Sequence, residues 1–237
     1  RPGYNTARVE HASQVKSLWE KLNASKAKND IGEEISGKKP ARFWSAYSCT
    51  ELLKFLTVDD LIKASNKGEV VKLPSNEMGI SIRPSNQDGP GADEKNPDNL
   101  KYYQMMSPKG WGMLAIAAYH FGQLRQKPLD ITSMCRPWKY SMGVNKTSLP
   151  THSSNNTADL ALKSLSSEEE VQDLKYVLNM MQYGGQVVSW IEEGTPRLWD
   201  KNGKVVQEPV NWHLHVVLLP NENAQAVSQK AYEAFAK

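Results

Sequence analysis

A chain of 237 residues with a hydrophobic fraction of 39% and seven Trp carries enough apolar material for one sizeable domain or two small ones, and this is not the composition of a disordered chain. Lys and Arg total 29 against 26 Asp and Glu, a formal net charge of +3 with no basic block longer than a few residues, so composition argues against a nucleic-acid partner. No run approaches the roughly 20 apolar residues of a bilayer span and no signal-peptide pattern is read, which leaves the compartment open.

Residues 6–28 read as an amphipathic helix, with Val15, Leu18, Trp19 and Leu22 at helical spacing, and the Gly- and Lys-rich residues 29–42 as a loop. A second helical patch runs from Cys49 to Leu56. Thr57 is placed to cap a short helix with Asp59 and Asp60 in its first turn and Gly68 as its stop. Residues 69–83 alternate apolar and polar and predict two short strands, and residues 84–99 have almost no apolar content and predict an exposed connector. A further helix is expected over 109–126, with Trp111, Leu114, Ala118, Phe121 and Leu124 on one side.

Residues 128–136 predict a strand ending in a polar turn, and residues 137–157 a long Ser/Asn/Thr-rich loop. Ser166 or Ser167 caps a helix that carries three Glu in its first turn and stops at Gly184-Gly185. Residues 186–193 form a strand. Asn202-Gly203 turns a hairpin between 198–200 and 204–207, residues 212–219 form another strand, and an Ala-rich helix closes the chain. The expected fold is α+β: a small, mostly antiparallel sheet flanked by helices in 106–237, preceded by a helical N-terminal region, 1–105. Three Asn-x-Ser/Thr triplets, at Asn23, Asn145 and Asn155, read as chance matches in a Ser/Asn-rich chain. Cys49 and Cys135 make no CxxC motif, and pairing between them is left open.

Of the five His, two form His213-Leu214-His215 inside a predicted strand. Residues i and i+2 share a strand face, so both imidazoles project into one space while Trp212, Leu214 and Val216 turn to the core. His152 precedes Asp159 by seven residues across a polar stretch that can bend both side chains toward one cation. Two His and a carboxylate make a zinc set with a fourth position open for water. The residues alone leave a solvent-facing His pair open as well. His120 reads as a helix-surface or core-edge residue and His11 as exposed.

The ordered set HxxxxxxD then HxH resembles the zinc metallopeptidases grouped as lysostaphin, D-alanyl-D-alanine peptidase and Hedgehog-like. Their first motif reads S-x-H-x-x-G-x-A-x-D. It aligns with Pro150 to Asp159, with His152 and Asp159 in register and with Pro150, Asn155 and Thr157 in place of Ser, Gly and Ala. The Gly position favours positive φ, which Asn tolerates better than most residues. Ile131-Thr132-Ser133-Met134-Cys135-Arg136 resembles the TSxxR strand of the D-alanyl-D-alanine peptidase branch, closest to this chain, and the likeness covers about residues 128–219.

The resemblance implies a single zinc held by His152, Asp159 and His215, His213 acting in catalysis as base or charge stabiliser, and Arg136 holding the substrate or its polarised carbonyl. A guanidinium suits that role through bidentate binding, although Arg136 taken alone reads as a surface salt bridge. Glu192 and Glu193 offer a second general base but read more simply as surface acids. The implied activity is amide hydrolysis in peptidoglycan stem peptides or related short peptides, outside the cytoplasm. The alternative is a metal-containing protein that binds cell-wall peptide without cleaving it.

Overall fold

The computed structural model describes residues 54–83, 97–137, 151–191 and 194–235. The elements expected over 6–28 and 29–42, most of the connector after residue 83, and Cys49, Glu192 and Glu193 lie outside these residues. The fold is α+β, as expected: a mixed five-stranded sheet and a two-stranded sheet flanked by helices.

In chain order the elements are α1 (Val58–Asn66), β1 (Ile80–Ile82), α2 (Leu100–Tyr103), α3 (Pro108–Arg125), β2 (Leu129–Ser133), β3 (Thr157–Ala161), α4 (Glu168–Tyr183), β4 (Val187–Ile191), β5 (Leu198–Trp199), β6 (Val205–Gln207), β7 (His213–Leu218) and α5 (Glu222–Phe235), with short 3₁₀ turns at Asn76–Met78, Pro97–Asn99 and Thr151–Ser153. The large sheet runs β1-β2-β3-β7-β4, and β5 pairs β6 apart from it. β1 and β2 are parallel, and the other ladders of the large sheet are antiparallel.

The caps of α1 and α4 fall where the sequence puts them, and α3 begins at Pro108, one residue before the expected start. Thr57 precedes α1, and the Asp60 carboxylate accepts from the Leu56 and Thr57 amides. This cap excludes the preceding residues from a helix, so 54–56, expected to be helical, are not, and the Phe55 amide donates instead to the Ser153 carbonyl. Ser107 caps α3 by accepting from the Gly110 amide, with Pro108 in the first turn where a missing N–H costs nothing. Ser167, not Ser166, caps α4, and Glu170 reaches back to the Ser166 amide.

Other expectations shift for local reasons. Residues 69–83 hold one strand and a 3₁₀ turn rather than two strands, because Pro74 and Gly79, at φ +69°, interrupt the alternation. Helix α3 is buried nearly all round between Gly110 and Ala118, while Leu124 is exposed. In the β5–β6 turn only Gly203 takes positive φ, so the turn is not a two-residue mirror-image type; the Asp200 amide donates to Lys204 and the Gly203 amide to Asp200. The largest difference is β3, a strand that begins at the last residue of the expected 137–157 loop and runs through residues to which the sequence assigned no element. It is central in the sheet and buried on both faces, so its residues show no alternation of apolar and polar.

The sheet divides the chemistry. Ala158, Leu160, Leu214, Val216 and Leu218 join the main apolar cluster with Trp111 and Leu114 of α3, Leu174 and Leu178 of α4 and Ala224 of α5. Phe55, Leu61, Val70 and Met78 belong to the same cluster. Val188, Trp190 and Val217 form a small separate cluster. Trp190 and Val217 are the ladder partners of His215 and Thr157, so this cluster shares its face with the polar residues of β3 and β7. Among the described residues no helix is long and apolar enough to cross a membrane.

Candidate metal centre

The β3–β7 ladder does most of the assembly. Asp159 stands directly opposite His215 and Ala161 opposite His213, so their side chains share one sheet face with Cβ atoms about 5 Å apart across each pair. Trp190 flanks His215 from β4, and its ring lies 4.3 Å from the imidazole centroid at 33°. The expected split of β7 holds: Trp212, Leu214 and Val216 enter the core, and the two His share the other face.

His152 arrives from the 3₁₀ turn Thr151–Ser153, which is tied to the chain leaving β2. The Arg136 amide donates to the His152 carbonyl at 2.9 Å, and His152 Nδ1–H donates to the Met134 carbonyl at 2.7 Å. With Nδ1 committed as donor, Nε2 is the nitrogen that faces Asp159 Oδ2, 3.2 Å away: protonated it donates to the carboxylate, and deprotonated it offers a lone pair to a cation. The same loop is strapped to the start of α3: the Ser107 amide donates to the Asn155 carbonyl, and the Ser107 hydroxyl donates to Asn156 Oδ1 at 2.6 Å. Asn155 does not take positive φ, contrary to the role expected for it, and it is buried, which supports chance as the origin of its triplet.

Asp159 is the hub. Oδ1 is 2.7 Å from His215 Nδ1, and Oδ2 is 3.0 Å from Arg136 Nη2 and 3.8 Å from His213 Nε2. Burial by itself pushes this carboxyl's pKa up. The charges of His152 and His213 and hydrogen bonds from His152 and His215 outweigh it and hold Asp159 well below the usual carboxylate range. It is therefore an anion at neutral pH, as a metal ligand must be.

The donor set fits a small divalent cation. One ligand-type atom from each of His152, Asp159 and His215 lies within 4.8 Å of the others, and all three residues are buried. Tetrahedral coordination at about 2.0–2.1 Å puts ligands roughly 3.4 Å apart, close to the His152–Asp159 spacing already present. The group can thus bind a metal ion. His213 stands beside it, 3.8 Å from Asp159 Oδ2 and a quarter exposed, with Nδ1 bonded to the Asn211 carbonyl at 3.1 Å.

Arg136 is buried and gripped by Asp159, so the structure gives it a carboxylate of its own chain as partner. His120 sits on α3, outside the group, with burial lowering its pKa. Cys135 is a free buried thiol whose pKa burial pushes up.

Two participants were not anticipated. Thr151 Oγ1 contacts His215 Nε2 at 2.5 Å, and Trp190 covers the same ring. The adjacency of Thr151 to His152 was a weak signal; Trp190 had none, since its place depends on pairing between strands distant in sequence. Comparison with protein-family models, with curated proteins and with solved structures gives no match for this chain.

Proposed function

We propose that this chain is a zinc-dependent peptidase that hydrolyses amide bonds in short peptides, with peptidoglycan stem peptides outside the cytoplasm as the substrate class. One observation carries the reading: a buried group of two imidazoles and a carboxylate beside a third imidazole that is partly open to solvent. The ordered residues His152, Asp159, His213 and His215, which resemble the zinc metallopeptidases named above, supply the substrate class.

When bound, zinc would supply a Lewis acid and lower the pKa of a coordinated water to about 7. The protein residues do the rest. His213 donates Nδ1–H to the Asn211 carbonyl, so Nε2 is the nitrogen that gains and loses the proton, and in the neutral ring it carries the lone pair. It takes the proton of the attacking water and returns it to the leaving amine. Arg136 holds Asp159 in place and sets a fixed positive charge beside the site as the carbonyl oxygen becomes an oxyanion. Trp190 packs on one face of the His215 ring and shields it from water.

The test is incubation of purified protein with peptidoglycan sacculi and a synthetic stem peptide, read by mass spectrometry. Released fragments that vanish with a chelator and return with zinc are expected. His213→Ala is expected to keep its metal while kcat falls about 10²- to 10⁴-fold. No product from zinc-loaded protein, or wild-type turnover by His213→Ala, would overturn the reading. One observation favours a second reading, binding without cleavage: the side chains of His152, Asp159 and His215 are only 8, 6 and 3% exposed. Retention on sacculi without fragments is its signature.

A further inference from the structure

We propose that Thr151 is a positioning residue for His215, held in place by a hydroxyl buckle that this chain builds from Ser154 and Thr157. The inference rests on the metal-site reading above and adds a group outside the ligand set.

His215 turns Nδ1 toward Asp159, 2.7 Å away, and Nε2 toward Thr151 Oγ1, 2.5 Å away. The ring is therefore fixed at both nitrogens, and Trp190 packs on its face. For Nδ1 to present a lone pair to a metal, Nε2 must carry the hydrogen and needs an acceptor. The Thr151 hydroxyl provides it. In the metal-free arrangement Nδ1–H donates to the Asp159 carboxylate, and the same hydroxyl donates to Nε2. A hydroxyl serves both tautomers because it donates and accepts, whereas a carbonyl or an ammonium serves only one.

Thr151 is itself immobilised. Its carbonyl accepts from the Ser154 amide at 3.0 Å, the Ser154 hydroxyl at 2.8 Å and the Thr157 hydroxyl at 2.9 Å. The two hydroxyls also lie 3.1 Å apart, within hydrogen-bond reach. Thr157 is in β3, two residues before Asp159 and on the same face, opposite Val217. The buckle thus ties the turn that delivers His152 to the strand that delivers Asp159, and its anchor points a hydroxyl at His215. Position 157 is Ala in the motif this stretch resembles, so the buckle comes from the present sequence. Thr151, Ser154 and Thr157 are all buried, so water does not compete for these bonds.

The test compares Thr151→Val, which keeps shape and loses the hydroxyl, with Thr151→Ser, which keeps the hydroxyl. Zinc affinity is measured by competition with a chromogenic chelator, the cobalt(II) absorption spectrum reports ligand geometry, and thermal unfolding of the metal-free proteins reports the fold. Thr151→Val is expected to lose about 10- to 100-fold in affinity and to change the cobalt spectrum, and Thr151→Ser to stay within about threefold of the parent. Affinity within threefold in folded Thr151→Val overturns the proposal. If Thr151→Val does not fold, Thr157→Val decides: a loss of about three- to tenfold that Thr157→Ser restores supports the buckle, and unchanged affinity overturns it. His215→Ala separates the two levels. Retained metal in that variant removes the site reading itself, whereas metal lost there but kept by Thr151→Val removes only the role of Thr151.

Discussion

His215→Ala is expected to strip the protein of tightly bound zinc. A structural zinc contributes roughly 10–16 kcal/mol of binding free energy, so one ligand of three or four accounts for about 4 kcal/mol, or near a thousandfold in affinity. The loss is sharpened by what His215 touches. Its imidazole is bonded to Asp159 and Thr151, packed against Trp190 and set edge-on to His152 at 4.8 Å. Removing it opens a cavity and takes a hydrogen-bond partner from the hub carboxylate, so no neighbouring group inherits its place. Elemental analysis after dialysis reads the outcome directly, with circular dichroism to show that the variant is folded. Zinc remaining at one equivalent per chain in folded His215→Ala would remove this residue from the ligand set. His213→Ala is the internal contrast, because that ring lies 3.8 Å from Asp159 and is expected to leave metal content unchanged.

The second large effect concerns stability. Gly112→Ala is expected to destabilise the fold by about 3 kcal/mol or more, a fall in Tm of roughly 10 °C for a chain of this size. Gly112 lies in α3 where α5 crosses it. A Cβ built there would fall 1.8 Å from the Ser228 carbonyl oxygen, 2.7 Å from its carbon and 3.0 Å from the Tyr232 nitrogen. The obstacle is backbone, so no rotamer change relieves it; the helices must separate and reopen a contact that Ala224, Ser228 and Ala231, small residues on one stripe of α5, bring close. The better helix propensity of Ala returns about 1 kcal/mol, too little to offset the clash. Gly203→Ala is the control. Its φ is +77° and nothing lies within 4 Å of its added Cβ, so only the backbone term of roughly 1 kcal/mol applies. Thermal unfolding of both variants checks this, and a Tm for Gly112→Ala within 2 °C of the parent would refute the close-packing argument.

The legible parts of the fold are those written in local chemistry. Thr57 with Asp60 and Ser167 with Glu170 each satisfy helix-end amides through residues three apart, so the starts of α1 and α4 are readable without the rest of the molecule. The same holds for β7, where alternation sends Trp212, Leu214 and Val216 one way and both His the other. It fails for β3. Thr157-Ala158-Asp159-Leu160-Ala161 is short, buried on both faces and follows a run of Ser and Asn, so no surface alternation marks where the loop ends and the strand begins. It fails also for α3, whose nearly complete burial erases the one-sided pattern that placed Leu124 with the core.

The sequence by itself determined the α+β class, the starts of α1 and α4 and the shared face of His213 and His215, because each follows from contacts within a few residues or from the two-residue period of a strand. Only the tertiary structure decided the centre. Antiparallel register sets Asp159 opposite His215, 56 residues away. The chain leaving β2 orients His152 through the Met134 carbonyl, and β4 supplies Trp190. Thr151 reaches His215 across 64 residues. None of these has a local signature, because ladder register and the long-range hydrogen bonds that satisfy buried polar groups are settled when the sheet closes, by which apolar face finds the core.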